Sequence, residues 1–468
     1  MIQLRAYQQQ AEHDIREAYR RGCRAPVLVM PTGSGKTHLF VDIARRASER
    51  GTKTLVLVHR QELLNQTSRA MDAFGVEHGL IARGISHSLG LVNVQVASVQ
   101  TLARRLGLFS WKPDLIVVDE AHHAVGGNTW GKILHHFHES RILGCTATPE
   151  RYDGKGLGVG SGGFFDSMVV GPSVAELVSA GYLSRPVVYA PSAPVDLSRV
   201  HTRAGDYAAN ELDALMDAPS ITGDAVAHYR RLCPGEPSIA FCTSVAHAEH
   251  VAEQFRQAGY QAASIDGNMD DKDRRDRIRD LGEGRLNVLT SCEIISEGTD
   301  IPVVSAAIML RPTKSLGLAL QQMGRALRVH PGKTRAVILD HAALTLTHGL
   351  PDEDRAWSLS GKSKRESKEK ESVTQVRQCE QCWAVHRPAP KCPSCGYVYP
   401  TKEREVEQRD GELREVSHED VRRVRAREIA HSDSLHDLIE LGKRFGYRNP
   451  YAWANHVLDG RRRKREAA

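Results

Sequence analysis

Short runs that are apolar at every position, separated by helical patterns, set the narrowest limit on what this chain can fold into. Leu115, Ile116, Val117 and Val118 follow one another with no polar residue between them. A strand with one wet face alternates, so an unbroken run means that both faces are covered, as in a parallel sheet flanked by helices. Short β-rich runs, this one among them, stand at 25–30, 54–58, 94–97, 114–119 and 142–146, with a helical pattern at 37–50. The alternation predicts a doubly wound α/β lobe. It returns between 220 and 345, with strands at 238–242, 262–265, 287–290, 305–310 and 335–339 and a helix at 246–258. That predicts a second lobe, in keeping with 468 residues, more than one core usually supports.

The remainder is written differently. Residues 154–163 are glycine-rich and read as a mobile loop, and 195–220 as an irregular connection. Residues 361–371, GKSKRESKEKE, hold no apolar side chain and read as a solvated linker. The expected division is 1–195 for lobe 1, 196–350 for lobe 2, 351–375 for a charged linker, 376–400 for a cysteine module and 401–468 for a helical basic tail. The net charge of +6 permits a polyanionic partner without requiring one. No stretch approaches the ~20 apolar residues that span a bilayer, and the start lacks a signal-peptide core. The expectation is a cytoplasmic protein with no membrane partner; its protein partners are not legible.

Between the first apolar run and its helix stand Pro31, Thr32, Gly33, Ser34, Gly35, Lys36 and Thr37. Glycines at a strand-to-helix turn let backbone N–H groups close around phosphates at the positive end of a helix. Lys36 is then placed for the β- and γ-phosphates of ATP, and the Thr37 hydroxyl for Mg²⁺. The strict pattern wants a glycine at position 30, where this chain has methionine. Asp119, Glu120, Ala121 and His122 end another apolar run, at the carboxyl edge where such sheets bind ligands. Asp119 is expected to hold Mg²⁺ and Glu120 to activate the attacking water.

Together these segments resemble the superfamily-2 helicases of the DEAH-box kind, and the resemblance runs through most of residues 1–345. It implies two tandem RecA-like lobes and several further roles. Gln8, after Leu4, Arg5 and Tyr7, would read the adenine. Arg60, Gln100 and Thr101 in lobe 1, and Thr243, Ser244 and Thr290 in lobe 2, would hold the nucleic-acid backbone. Thr146 and Thr148, with His122, would couple the ATP site to the track. Gly298 and Asp300 would lie near the ribose. Gln321, Arg325 and Arg328 fit the Q-x-x-G-R-x-x-R signature, which implies arginine fingers that enter the first lobe's site. Spaced three apart, the two arginines are expected to share a helix face.

Cys379, Cys382, Cys392 and Cys395 form two C-x-x-C pairs, the donor set of a closed tetrahedral Zn²⁺ site in a zinc ribbon. The other five cysteines are scattered through apolar runs and read as buried thiols. A motor followed by such a ribbon, with Gly446, Tyr447, Arg448, Asn449, Pro450, Tyr451, Ala452, Trp453 and Ala454 near its end, resembles bacterial RadD-type DNA-repair helicases and their phage relatives. The resemblance implies an ATP-dependent helicase or translocase with nucleic acid as partner, DNA before RNA. The rivals are an RNA helicase, the motor of a restriction-type nuclease, and a non-catalytic nucleic-acid-binding protein.

Overall fold

The structure is a computed structural model. It describes the chain outside residues 1–2, 88–90, 109, 152–155, 192–199, 204–205, 217–218, 293–300, 361–375, 400–425, 427–428, 431, 433, 445–448 and 467–468. Among the described residues, lobe 1 is built on Pro26–Val29 (β1), Thr54–Val58 (β2), His78–Ala82 (β3), Ile85–His87 (β4), Val94–Ser98 (β5), Leu115–Asp119 (β6), Arg141–Thr146 (β7) and Ser167–Val170 (β8). They lie in the order β4-β3-β5-β2-β6-β7-β1-β8, parallel except for the β3–β4 hairpin. Leu28, Val56, Val117 and Leu143 face one buried cluster, and Val27, Leu55, Ile116, Val118 and Ile142 face another. Alternate residues of these strands thus serve two cores, which is why the runs are largely apolar.

Register decides what meets at the carboxyl edge. β7 lies between β1 and β6, with Val29 opposite Thr146 and Asp119 opposite Cys145. The threonine at the end of β7 is thereby set between the glycine-rich loop that follows β1 and the acidic pair that ends β6.

Lobe 2 carries Pro186–Tyr189 (β9), Ser238–Phe241 (β12), Ala262–Ile265 (β13), Val288–Ser291 (β14), Ala306–Met309 (β15) and Ala336–Asp340 (β16), all parallel. Two departures from the sequence reading follow. β9 pairs with β16, so the change of lobe falls before 186 and not at 195–196. A tetrapeptide whose partner lies about 150 positions away gives no local sign of where it belongs. The region 195–220 is not wholly irregular either. Thr202–Arg203 (β10) pairs with Asp206–Tyr207 (β11), and the helix Ala209–Met216 follows.

The cysteine segment extends this second sheet. Ala384–His386 (β18) pairs antiparallel with β9, and Arg377–Gln378 (β17) completes the edge, giving the order β13-β14-β12-β15-β16-β9-β18-β17. Gln378 Nε2 donates to Ala190 O at 2.8 Å and Arg185 Nη1 to Pro393 O at 3.1 Å.

The stretch assigned to a linker at 351–375 begins as a packed strap. Leu350 is buried in the lobe 2 core and Leu359 packs on the lobe 1 core. Between them the Arg355 guanidinium donates to the carbonyls of His348, Leu350 and Glu353. Gly158 N donates to Leu359 O at 3.0 Å, and a Cβ at Gly158 would stand 3.0 Å from the same oxygen. The glycine-rich region is correspondingly a packed turn from 156 onward, with Leu157 fully buried, rather than an open loop. The charged run 361–371 lies outside the described residues.

Residues 400–468 form a separate unit. Within it the helices Leu435–Arg444 and Pro450–Glu466 bury Leu438, Leu441 and Ala454, and Trp453 packs against Gly442, where a Cβ would come within 3.0 Å of the indole. Tyr451 is exposed, and Gly446, Tyr447 and Arg448 of the tail motif lie outside the described residues. No helix among the described residues is long and apolar enough to cross a membrane.

The strap gives a stability prediction. Leu359→Ala removes part of the lobe 1 core, and because Leu359 is only partly buried the cost should be about 1–2 kcal/mol, below the ~2–5 kcal/mol of a fully buried leucine. Denaturant midpoints should fall accordingly, and limited proteolysis should cut earlier within 351–360; an unchanged midpoint and unchanged cleavage refute the strap's role.

Candidate functional site

The loop after β1 turns through Gly33 at φ +83° and Gly35 at φ +80°, both in the left-handed region where a side chain is strained. Gly35 then caps the helix Lys36–Ser48. A Cβ at Gly35 would lie 2.6 Å from Gln8 Nε2, and one at Gly33 would lie 3.2 Å from Arg328 Cγ. A side chain at either position would strain the left-handed backbone, and at Gly35 it would also displace the Gln8 amide.

Gln8 is fixed against this loop. Its Nε2 donates to Ser34 O at 3.3 Å and Gly35 O at 3.1 Å, and its Oε1 accepts from Arg5 N at 2.9 Å. Tyr7 adds a bond from its hydroxyl to Ser34 O at 2.7 Å. Ser34 Oγ donates to Pro31 O at 2.7 Å, which stiffens the turn from inside. Lys36 Nζ donates to Met30 O at 3.0 Å and Pro31 O at 3.2 Å. Burial lowers the lysine's pKa, opposed by the nearby carboxylates of Glu120 and Asp119. An anion in the loop would supply the counter-charge that burial withholds.

Asp119 is buried at the end of β6, and its Oδ1 accepts from Glu120 N at 3.1 Å. Glu120 itself holds φ 50°, uncommon for a side-chain-bearing residue and the kind of strain found at functional sites. That turn aims its carboxylate toward the second lobe, where Gln321 Nε2 donates to Oε2 at 3.4 Å. The same oxygen lies 3.5 Å from His122 Nδ1, which in turn contacts Thr146 Oγ1 at 3.0 Å. Thr146 Oγ1 donates to Thr148 O at 2.9 Å and accepts from Thr148 N at 3.1 Å. Gln321, Glu120, His122, Thr146 and Thr148 thus form one continuous polar path across the lobe boundary.

From lobe 2, the helix Leu316–Gly324 meets this path end to end. A Cβ at Gly317 would lie 2.8 Å from Thr148 Oγ1, and one at Gly324 would lie 2.7 Å from Thr32 Cβ in the loop after β1. The helix stops at Gly324, so the two arginines do not share an α-helical face as expected. The chain continues in a turn with bonds from Arg325 N to Gln322 O, Ala326 N to Met323 O and Leu327 N to Gly324 O. Such i,i+3 winding eclipses residues three apart, so Arg325 and Arg328 still reach the same cleft.

That cleft holds about 470 Å³ and is lined from lobe 1 by Gln8, Thr32, Gly33, Gly35, Lys36, Thr37, Asp119 and Glu120, and from lobe 2 by Gln321, Arg325 and Arg328. Its size suits a nucleotide-sized ligand. Gln321 Oε1 is buried against the cleft with no hydrogen-bond partner, so a donor placed there would be accepted. Sequence reading missed Arg5, Gln66 and Tyr182 on the same wall. Arg5 stacks 4.6 Å over the Tyr182 ring, a pairing between distant segments that no local pattern announces.

The track residues divide sharply. Arg60 and Gln100 follow the adjacent strands β2 and β5, whose ends pair Val58 with Ser98, so they share one rim; Gln100 is exposed, and Thr101 next to it is half-buried. In lobe 2 the expected contacts are engaged internally. Thr290 is fully buried and donates to Ala248 O at 2.7 Å, which makes it a packing residue. Ser244 caps the helix Val245–Gln257 by accepting from His247 N at 3.0 Å. Thr243 is buried with its hydroxyl on Asp213. Gly298 and Asp300 lie outside the described residues.

The four cysteines come together. Cys379 and Cys395, and Cys382 and Cys392, approach to 3.7 Å between sulfurs, and all four sulfurs lie within 4.8 Å of one another. A tetrahedral ion with ~2.3 Å bonds requires edges of ~3.8 Å. Each pair is closed by a left-handed residue, Trp383 at φ 66° and Gly396 at φ 77°, whose N–H donates to Cys379 O and Cys392 O. Burial opposes ionisation of Cys379, but the N–H groups of Cys382 and Gln381 draw its pKa down to about 6. His386 is not a fifth donor: it holds Arg387 O and the Tyr399 hydroxyl.

Comparison with known proteins agrees with this geometry. Residues 1–151 match the family model described as the res subunit of type III restriction enzymes, and 224–330 the helicase conserved C-terminal domain. A Lactococcus phage protein, described only as a 51.5 kDa protein, is 32% identical over 84% of this chain and 82% of its own length. A Saccharomyces cerevisiae protein named as an ATP-dependent helicase is 29% identical over 72% of this chain, which spans only 51% of that protein. The fragment structure of a protein named as an HsdR subunit of a type I restriction enzyme from Vibrio vulnificus shares the fold, with a TM-score of 0.59 at 20% identity over 74% of this chain and 66% of that one.

Gly324 supplies the test of the lobe contact. Gly324→Ala puts a methyl group where Thr32 already stands, so the lobes should part and ATP turnover should fall at least ~10-fold. The melting temperature should move by only a few degrees; wild-type turnover in the variant refutes the contact's importance.

Proposed function

The chain belongs to the superfamily-2 helicases, a class of nucleic-acid-dependent ATPases, and on that footing we propose that it is a DNA-stimulated ATPase that translocates on or unwinds DNA. The observation that carries this reading is the shared cleft, in which Lys36, Asp119 and Glu120 of one lobe face Gln321, Arg325 and Arg328 of the other. The match of lobe 1 to a restriction-enzyme subunit favours DNA, since restriction enzymes act on DNA. The likeness of a motor followed by a cysteine ribbon to RadD-type helicases makes repair the setting we favour.

In this reading the loop 31–37 holds the ATP phosphates, Lys36 neutralises the β- and γ-phosphates, and Thr37 and Asp119 hold Mg²⁺. The ion would withdraw charge from the transferring phosphoryl group. Glu120, aimed by its left-handed backbone, orients and deprotonates the attacking water. Arg325 and Arg328 meet the charge that develops on the γ-phosphate, and Gln321 reports the state of Glu120 to the helix that ends just before them. The path through His122 and Thr146 to Thr148 carries the same state toward the rim of lobe 1. Gln8 serves the adenine end and braces the loop. We also assign Zn²⁺ to Cys379, Cys382, Cys392 and Cys395, where the sulfur spacing suits it and where it would pin β18 to the edge of lobe 2.

The deciding experiment is ATP turnover with single-stranded DNA, duplex, forked DNA and RNA. Stimulation by DNA is expected; stimulation by RNA alone transfers the reading to an RNA helicase, and none by either overturns it. Within it, Glu120→Gln should keep ATP affinity and lose ~10²–10⁴ in turnover, while Lys36→Ala loses both. Arg325→Ala should bind ATP and turn it over ~10³-fold more slowly at saturating DNA.

Elemental analysis should find one zinc per chain in the wild type and less in Cys392→Ser. Because the module is stitched to β9, metal loss should lower the stability of lobe 2 while lobe 1 retains its fold. Wild-type protein free of zinc overturns the metal assignment.

A further inference from the structure

Asp206, Tyr207 and Asp213, from the insert between β9 and β12, meet the carboxyl edge of lobe 2. Asp206 Oδ2 accepts from Thr313 Oγ1 at 2.7 Å, its Oδ1 accepts from Lys314 N at 2.8 Å, and Arg311 Nη2 stands 4.0 Å from Oδ2. The next residue, Tyr207, places its ring 4.7 Å beneath the Lys314 ammonium. Six positions on from Tyr207, Asp213 Oδ1 accepts from Thr243 Oγ1 at 2.8 Å. Thr243 follows β12, and Arg311, Thr313 and Lys314 follow β15. The two strands are adjacent, with Phe241 opposite Met309 and Leu310 N bonded to Phe241 O, so these groups stand side by side.

Two hydroxyls, a backbone N–H, a guanidinium and an ammonium on one rim are the donors that phosphate oxygens use along a nucleic-acid backbone. Carboxylate oxygens are the nearest protein equivalent of those oxygens. The rim of lobe 1 formed by Arg60 and Gln100 has no such cover over Gln100, whereas in lobe 2 Thr243 and Thr313 are buried beneath the insert. We propose that Thr243, Arg311, Thr313 and Lys314 form a phosphodiester-binding site on lobe 2, and that Asp206, Tyr207 and Asp213 occupy it as an internal stand-in until a nucleic-acid backbone displaces them.

The position gives displacement a consequence. Thr313 Oγ1 also accepts from Ser315 N at 3.0 Å, and Ser315 caps the helix Leu316–Gly324. That helix is nine residues long, so exchange of a carboxylate for a phosphate at one end occurs about 13 Å from Arg325 at the other. Track binding and finger position are thereby joined through one rigid element. The exchange makes and breaks only hydrogen bonds and ion contacts, with no covalent step. The inference rests on the chain acting on nucleic acid, as proposed above.

The test uses the full chain and a fluorescent oligo(dT), with affinity measured across a salt series and unstimulated ATP turnover measured beside it. Asp206→Asn and Asp213→Asn keep the shape and remove the competing charge. Each should tighten binding by about tenfold and raise unstimulated turnover toward the stimulated rate. Lys314→Ala should weaken binding and reduce the salt slope by about 0.7, the contribution of one phosphate contact on a single strand. Thermal melting identifies any variant that unfolds, and in that event the remaining two decide. If wild type binds oligo(dT) but the folded Asn variants bind no tighter and Lys314→Ala leaves the slope unchanged, the site is refuted and the motor reading stands. If no variant, nor the wild type, binds or responds to nucleic acid, both are overturned.

Discussion

The approach of Gly324 to Thr32 is the contact on which the rest of the motor half depends. The glycine-rich loop 31–37 belongs to lobe 1 and Arg325 and Arg328 to lobe 2. They face one cleft because the helix Leu316–Gly324 presents hydrogen atoms, not side chains, at two of its closest approaches to the other lobe, Gly317 on Thr148 and Gly324 on Thr32. Once the backbone is that close, Gln321 spans to Glu120 and the turn after Gly324 delivers Arg325 and Arg328. The glycine in the signature is thus a steric requirement of the interface, in the same sense that Gly35 is one of the phosphate loop.

Much of this arrangement is legible in the amino-acid sequence. The strands read from the sequence lie within a residue or two of their mostly apolar runs, because burial on both faces favours apolar side chains, whereas β3 and β8, also parallel, escape that reading. The phosphate loop, the acidic pair and the four cysteines are legible because their chemistry demands fixed spacing. The failures share a cause. β9 belongs to lobe 2 only through β16, and β18 only through β9, and pairings of that range leave no local trace. Thr290 carries the hydroxyl that a phosphate contact needs, yet the packing of the helix Val245–Gln257 over β14 has already claimed it. Whether a polar side chain is available is a property of tertiary packing, and type and position in sequence do not reveal it.

The four-cysteine segment is more than an appendage. With β18 paired to β9, its backbone hydrogen bonds belong to the same ladder that continues through β16 to the centre of lobe 2. A sheet edge left bare invites pairing with other chains, and the ribbon covers that edge. Trp383, held at positive φ where the second pair of cysteines uses Gly396, is half exposed, and its N–H bond to Cys379 O holds the turn.

The strap carries a different consequence, for where this motor ends. Counted by sheets, lobe 2 finishes with β16 at Asp340, and counted by helices it finishes at His348. Yet the chain goes on to return Leu359 to the core of the lobe it left before residue 186. Lobe 2 is therefore, in topology, a long loop whose two ends are both fastened to lobe 1. Closing a loop confines its contents, and each added residue costs little once the ends are held. The smallest piece able to keep both cores covered should finish just beyond residue 359, about twenty positions after the last parallel strand.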